Sequence, residues 1–193
     1  MIDRIETPAL LLDLAKVDRN IARLRGRLDA LGVSFRPHVK TAKSIEVARR
    51  LFPSGTGPIT VSTLAEADYF AAGGFTDITY AVGLGPDKSG RARDLVARGV
   101  ALSVLVDSVA QAEALAQAAC DGGPMPRVLI EIDCDGHRGG LLPDDPALVA
   151  DLSAPTFEPV PNGIRVEAKE KVVARLGRST DRGDAVVMAW FEG

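Results

Sequence analysis

Along the first 150 residues, short apolar runs alternate with longer stretches whose apolar positions recur at helical spacing. The runs occupy residues 33–39, 59–62, 77–82, 101–106 and 127–132. The last two are almost continuously apolar, which predicts parallel strands buried on both faces. Successive runs start roughly 20 to 26 residues apart, room for one strand and one crossover helix. The intervening segments carry their own punctuation. Thr63 is a candidate N-cap with Glu66 three residues later, and Gly73 and Gly74 stop that segment. Asp107 or Ser108 opens the next one, and Gly122 and Gly123 end it. Ahead of the repeat, residues 14–31 predict an amphipathic helix closed by Gly32, and residues 8–12 a short strand.

The pattern changes after Leu152. Residues 153–163 hold three prolines and an Asn-Gly turn signal, and they read as a linker. Residues from Ile164 alternate briefly as a strand and pass into a helix that Gly177 ends. A last apolar helix is expected from about Asp181 to Phe191. The predicted fold class is therefore α/β: an incomplete (β/α)8-type barrel with about five parallel βα units, plus a short C-terminal strand–helix–helix appendage. The expected organisation is a partial barrel over 1–152, a Pro-rich linker over 153–163 and a tail over 164–193. A closed barrel takes roughly eight strands and about 250 residues. A shorter one leaves strand edges open, which favours pairing with a second copy.

Composition narrows the class. Hydrophobic residues make up 46% and charged residues 25% of the 193-residue chain, a globular balance. The net charge of −3 gives no global attraction to nucleic acid or to an anionic membrane. No uncharged run nears the roughly 20 residues that span a bilayer, and the N-terminus lacks the basic-then-apolar order of a secretory signal. Cys120 and Cys134 follow no pairing or zinc pattern and read as reduced thiols of a cytoplasmic protein. No metal-ligand set is complete.

The candidate chemistry begins at Lys40, in the stretch RPHVKTAKS over 36–44, just beyond the first run. Sites in parallel β/α folds form at the C-terminal ends of strands. A lysine partly desolvated there becomes a nucleophilic amine able to form a Schiff base with pyridoxal phosphate. Read alone, Lys40 beside Lys43 is more simply a solvated lysine. The segment EIDCDGHRGG over 131–140 supplies Arg138, whose rigid fork of donors suits an anionic oxygen. Asp133 and Asp135 could pair with it. The stretch GLGPDKSGR over 83–91 lacks the Gly-Lys-Ser/Thr order of a phosphate loop.

Four segments carry a resemblance in order: TPALLLDLAKVDRNIARL, RPHVKTAKS, TVSTLAEADYFAAGGFTDITYAVGL and VLIEIDCDGHRGG. Together, over about residues 5–152, they resemble the N-terminal half of D-threonine aldolases and their D-serine dehydratase relatives, alanine-racemase-like enzymes of pyridoxal phosphate. The resemblance implies that Lys40 carries the cofactor, and that Arg138 sits near its phenolic oxygen. It implies that His38 packs or hydrogen-bonds near the cofactor ring, with His137 matching a motif position of less defined role. The chemistry implied is retro-aldol cleavage or elimination on a D-3-hydroxy amino acid. Ala42 stands where the family often has histidine. The family's divalent metal is held by a His-x-Cys pair in a C-terminal β-domain, and neither that pair nor the later phosphate-cradling loops occur here. Weak activity, and no bound metal, are therefore expected of this chain.

Residues 164–193 are similar to the extreme C-terminus of phage terminase large subunits, where a late aspartate, matched by Asp184 or Asp181, contributes to a two-metal nuclease site. Such a site needs several carboxylates from separate strands, so a helix-capping role is the better expectation. The combination reads as a shortened barrel joined near Ser153 to a foreign tail. The leading function is a lyase-type domain. The alternatives are a non-catalytic α/β fragment that forms a homo-oligomer and, weakly, a remnant of a DNA-packaging nuclease.

Overall fold

The protein is described by a computed structural model over residues 5–9, 11–120, 122–143, 157–160, 163–166 and 169–177. At its centre lies a parallel sheet of β1 (Ile59–Val61), β2 (Asp77–Gly83), β3 (Ala101–Val106) and β4 (Arg127–Ile130). Spatial order follows chain order without reversal. A barrel winds in this way, whereas a doubly wound sheet reverses at a switch point. The crossovers are α3 (Leu64–Ala72), α4 (Ser89–Ala97) and α5 (Val109–Cys120), with α1 (Leu14–Leu31) and α2 (Ile45–Arg50) ahead of β1. The rejected phosphate-loop stretch contributes a 3-10 turn, Pro86–Lys88, and the start of α4.

Local sequence explains the helix ends. The Asp13 carboxylate accepts from the Lys16 N–H at 3.0 Å, and the Ser44 hydroxyl from the Val47 N–H at 3.3 Å. Thr63 accepts from the Glu66 N–H at 3.0 Å, as expected of an N-cap. Gly32 closes α1 at φ 64°, donating to the Asp29 and Leu28 carbonyls.

Paired residues across the sheet share a face. Ile59, Val61, Ile78, Tyr80, Leu102, Val104 and Val106 all point into the helix layer and are buried with Phe70, Phe75 and Leu95. Phe70 and Phe75 meet edge to face at 5.6 Å, and each such side chain contributes roughly 1.5–3 kcal/mol on burial. The opposite face is different. Thr60, Thr79 and Leu105 are half-buried, Ser103 is buried and Leu129 is exposed. Burial on both faces, expected of the last two apolar runs, holds along the middle of β3, where Leu102, Ser103 and Val104 are all buried, and is corrected for β4, whose residues are half-buried or exposed. In a closed barrel this side would face inward.

Two further expectations are revised. The first run, 33–39, contracts to an isolated parallel bridge between His38 and Thr60. Val39 N–H donates to the Thr60 carbonyl at 3.0 Å and Thr60 N–H to the Pro37 carbonyl at 2.9 Å. Pro37 has no N–H to extend the ladder. Residues 8, 9, 11 and 12 are not in a strand, and Leu11 and Leu12 stay exposed. Further along the chain, β5 (Phe157–Val160) pairs antiparallel with β6 (Gly163–Val166), so part of the expected linker is a strand. The helix α6 (Lys169–Leu176) follows, with Gly177 at φ 68°. The expected last helix, with Asp181 and Asp184, lies outside the described residues. No described helix is long and apolar enough to cross a membrane.

Candidate active site

Because β1 to β4 run parallel, the residues following them gather at one end of the sheet. His38 makes the bridge to Thr60 and Lys40 follows it, Ser62 follows β1, Asp107 follows β3, and Asp133 to Gly140 follow β4. Lys40, expected beyond a strand, follows an isolated bridge at the same end of the sheet. Its expected desolvation is not met: Lys40 is exposed, on an open rim.

His38 is tied on both ring nitrogens. The Lys40 N–H donates to Nδ1 at 3.3 Å, and Nε2 lies 3.2 Å from the Ser62 hydroxyl. Partial desolvation, followed by the Lys40 charge, holds the imidazole below its ordinary pKa, with Glu66 opposing.

Glu66, which the sequence offered only as a helix cap, joins this cluster through Ser62 and Lys43. Its side chain is 9% exposed. One oxygen accepts from the Ser62 N–H at 2.8 Å, one residue ahead of the helix cap, and the other faces the Lys43 ammonium at 3.0 Å. Burial pushes this carboxyl up, but the Ser62 amide, the Lys43 side chain and the Thr63 amide outweigh it and hold the carboxyl below its ordinary value. Lys43 is thus more than a solvated neighbour. It sits in the left-handed region at φ 47°, its N–H bonded to the Val39 carbonyl at 3.0 Å, and its ammonium is committed to Glu66. Sequence spacing could have flagged Glu66, since it is the acidic residue of the capping pattern; nothing in the sequence marked Ser62.

Across the sheet, Asp133 organises the loop that carries Arg138. Its Oδ1 accepts from the Gly136 N–H at 3.0 Å and its Oδ2 from the Arg138 N–H at 3.1 Å. Those backbone donors, the Arg138 amide foremost, hold its carboxyl below the usual aspartate range. The loop returns so that Leu141 N–H donates to the Glu131 carbonyl at 2.8 Å and Asp133 N–H to the Leu141 carbonyl at 2.9 Å. The expected side-chain pairing of Asp133 or Asp135 with Arg138 is corrected: Asp133 binds the Arg138 backbone, and no ion pair among the described residues involves the guanidinium. Arg138 and His137 are both exposed. Near the ends of β3 and β4 lies a cleft of about 240 Å³ lined by Val106, Asp107, Ser108, Ala112, Ile130 and Leu141.

Lys40 and Arg138 therefore share one end of the sheet but stand at opposite edges. Four strand spacings separate their segments, about 19 Å along the sheet at about 4.8 Å each. Only curvature into a barrel mouth brings such groups together.

A family model described as alanine racemase, N-terminal domain, matches residues 12–166. The chain belongs to this family. It is 49% identical over 145 residues to D-threo-3-hydroxyaspartate dehydratase of Delftia sp. (strain HT23), covering 75% of this chain and 38% of the relative. It is 34% identical over 151 residues to D-threonine aldolase of Arthrobacter sp., covering 78% and 39%. Among solved structures, the Delftia sp. HT23 dehydratase superposes with a TM-score of 0.72 at 48% identity, over 77% of this chain and 39% of that one. An alanine-racemase-like protein from Idiomarina loihiensis gives 0.73 at 44% identity, over 77% and 40%. The parallel α/β fold and the family resemblance stand. The chain spans about 38% of the length of the curated relatives it matches.

Proposed function

We propose that this chain provides the cofactor-anchoring portion of a pyridoxal-phosphate-dependent lyase acting on D-3-hydroxy amino acids, with Lys40 as the anchoring amine. The observation that carries the reading is the exposed Lys40 side chain just beyond the His38–Thr60 bridge, on a backbone whose N–H donates to His38. Names of the relatives support the substrate class, as dehydratases and aldolases of such amino acids.

The donor set fits the group. Lys40 offers an amine for a covalent C=N bond, and Arg138 offers an exposed guanidinium, at the same end of the sheet, for an anionic ring oxygen. His38 orients the backbone of Lys40 by accepting its N–H. The group, when bound, supplies an electron sink for cleavage at the substrate's α-carbon. Among the described residues no three His, Cys, Asp or Glu side chains gather as metal ligands. Turnover by this chain alone is expected to be weak, because Lys40 stands on an open rim from which water is not excluded.

Incubation with pyridoxal phosphate, borohydride reduction and peptide mapping tests the assignment. Lys40 is expected to carry the adduct, with Lys43 protected by its ion pair to Glu66. An absence of label at Lys40, or equal label on Lys43 and surface lysines, sinks it.

A second reading, a homo-oligomeric fragment without catalysis, is favoured by one observation. The amphipathic helix α1 has no buried residue, and Leu14, Leu24 and Leu31 on it remain exposed. Light scattering separates the cases, a compact monomer counting against association.

A further inference from the structure

We infer that Ser62, anchored by Glu66, is a positioning residue that fixes His38 as a single neutral tautomer, with its proton on Nε2, against the backbone of Lys40. The inference deepens the proposed function and rests on Lys40 being the anchoring amine.

The argument follows the donors. The Lys40 N–H points at Nδ1 of His38, so Nδ1 must offer a lone pair. A neutral imidazole then carries its proton on Nε2, which donates to the Ser62 hydroxyl oxygen at 3.2 Å. The opposite tautomer would set two N–H groups against each other at Nδ1. The imidazolium would do the same, and would add a positive charge beside Lys40. Ser62 can hold this bond because its own backbone is pinned: its N–H donates to buried Glu66 at 2.8 Å, and Glu66 is steadied by Lys43. The charged groups that act on His38 are Lys40 and Glu66, and its pKa lies below the ordinary value.

The functional consequence is specific. With Nδ1 and Nε2 both engaged, His38 cannot accept a proton without breaking the hydrogen bond that the Lys40 N–H donates to Nδ1. It is a fixed support for the anchoring lysine and not the proton carrier of the reaction. Its neighbourhood also keeps a second positive charge away from the amine.

The chain has two histidines, which makes the test direct. Long-range proton–nitrogen NMR of the ¹⁵N-labelled full chain reports the protonation of each ring nitrogen across a pH series. The expected wild-type result is one Nε2-protonated form of His38 that titrates below the ordinary histidine value. Ser62→Ala is expected to give a mixture of tautomers, and Ser62→Thr, which keeps the hydroxyl, to restore the single form. Borohydride-trapped cofactor at Lys40 is expected to fall about fivefold in Ser62→Ala, the factor that corresponds to one neutral hydrogen bond of about 1 kcal/mol. An Nδ1-protonated or mixed wild-type ring, or a Ser62→Ala spectrum unchanged from wild type, overturns the inference. If the tautomer results hold but Lys40 takes no label, the cofactor reading fails while the positioning of His38 stands.

Discussion

Gly140→Ala should cripple the loop that carries Arg138. Gly140 sits at φ +126°, where L side chains are strained. An added Cβ would lie 2.8 Å from the Asp133 nitrogen, 3.0 Å from the Glu131 carbonyl oxygen and 3.0 Å from the Ile132 carbonyl carbon. All three are backbone atoms, so no side chain can swing aside. Backbone strain of this kind costs of order 1–3 kcal/mol. The clash also wedges apart the two hydrogen bonds between Leu141 and the strand end, each worth about 1 kcal/mol. The expected loss is about 2–4 kcal/mol, either in global stability or as local opening of residues 133–141. Urea denaturation measures the first and hydrogen exchange at the Asp133 and Leu141 amides the second. Gly139→Ala is the control. There the added Cβ would meet the Asp107 and Glu131 carboxylates at 3.7 and 3.9 Å, ordinary contacts at an unstrained φ. If the two variants agreed within about 0.5 kcal/mol in stability, and the two amides exchanged alike, the account of this loop would be refuted.

Glu66 gives a pH prediction. Its folded pKa is depressed, so its stabilisation is full above the ordinary glutamate value of 4.5 and is lost as pH falls through the folded value. Glu66→Gln should lower stability by about 1–2 kcal/mol at neutral pH, the difference between a charged and a neutral acceptor, and urea midpoints of the two proteins should converge in acid; a gap constant with pH contradicts this. Phe70→Ala should cost about 3–5 kcal/mol, read by thermal or urea denaturation, because the ring is fully buried between Tyr69 and Phe75. Asp133→Asn should loosen the Arg138 loop, with faster exchange at the Gly136 and Arg138 amides and little change at Phe70, whereas unchanged loop exchange argues that Asp133 does not organise it.

Much of the fold was legible in the residues because it depends on local rules. Thr63 and Gly32 act where their chemistry predicts, since caps and left-handed glycines are decided within one turn of chain. Strand positions followed from apolar runs, and Lys40 from a motif placed after one of them. The run at 33–39 was misjudged because Pro37 limits pairing and composition does not show which neighbour a strand will have. Burial on both faces holds in β3 and fails in β4 for a related reason. An apolar run records what could be covered, whereas coverage depends on a second layer.

The site divides along the same line. Residue identity alone determined that an amine, an imidazole and a guanidinium lie on the segments that follow parallel strands, and these have one common end. Only the tertiary structure decided that Glu66 turns inward to Ser62 and Lys43, that Ser62 meets His38 across 24 residues of chain, and that Asp133 grips the Arg138 backbone instead of its side chain. Those contacts join groups distant in sequence, and their geometry is set by strand register and helix placement. No periodicity along the chain encodes them.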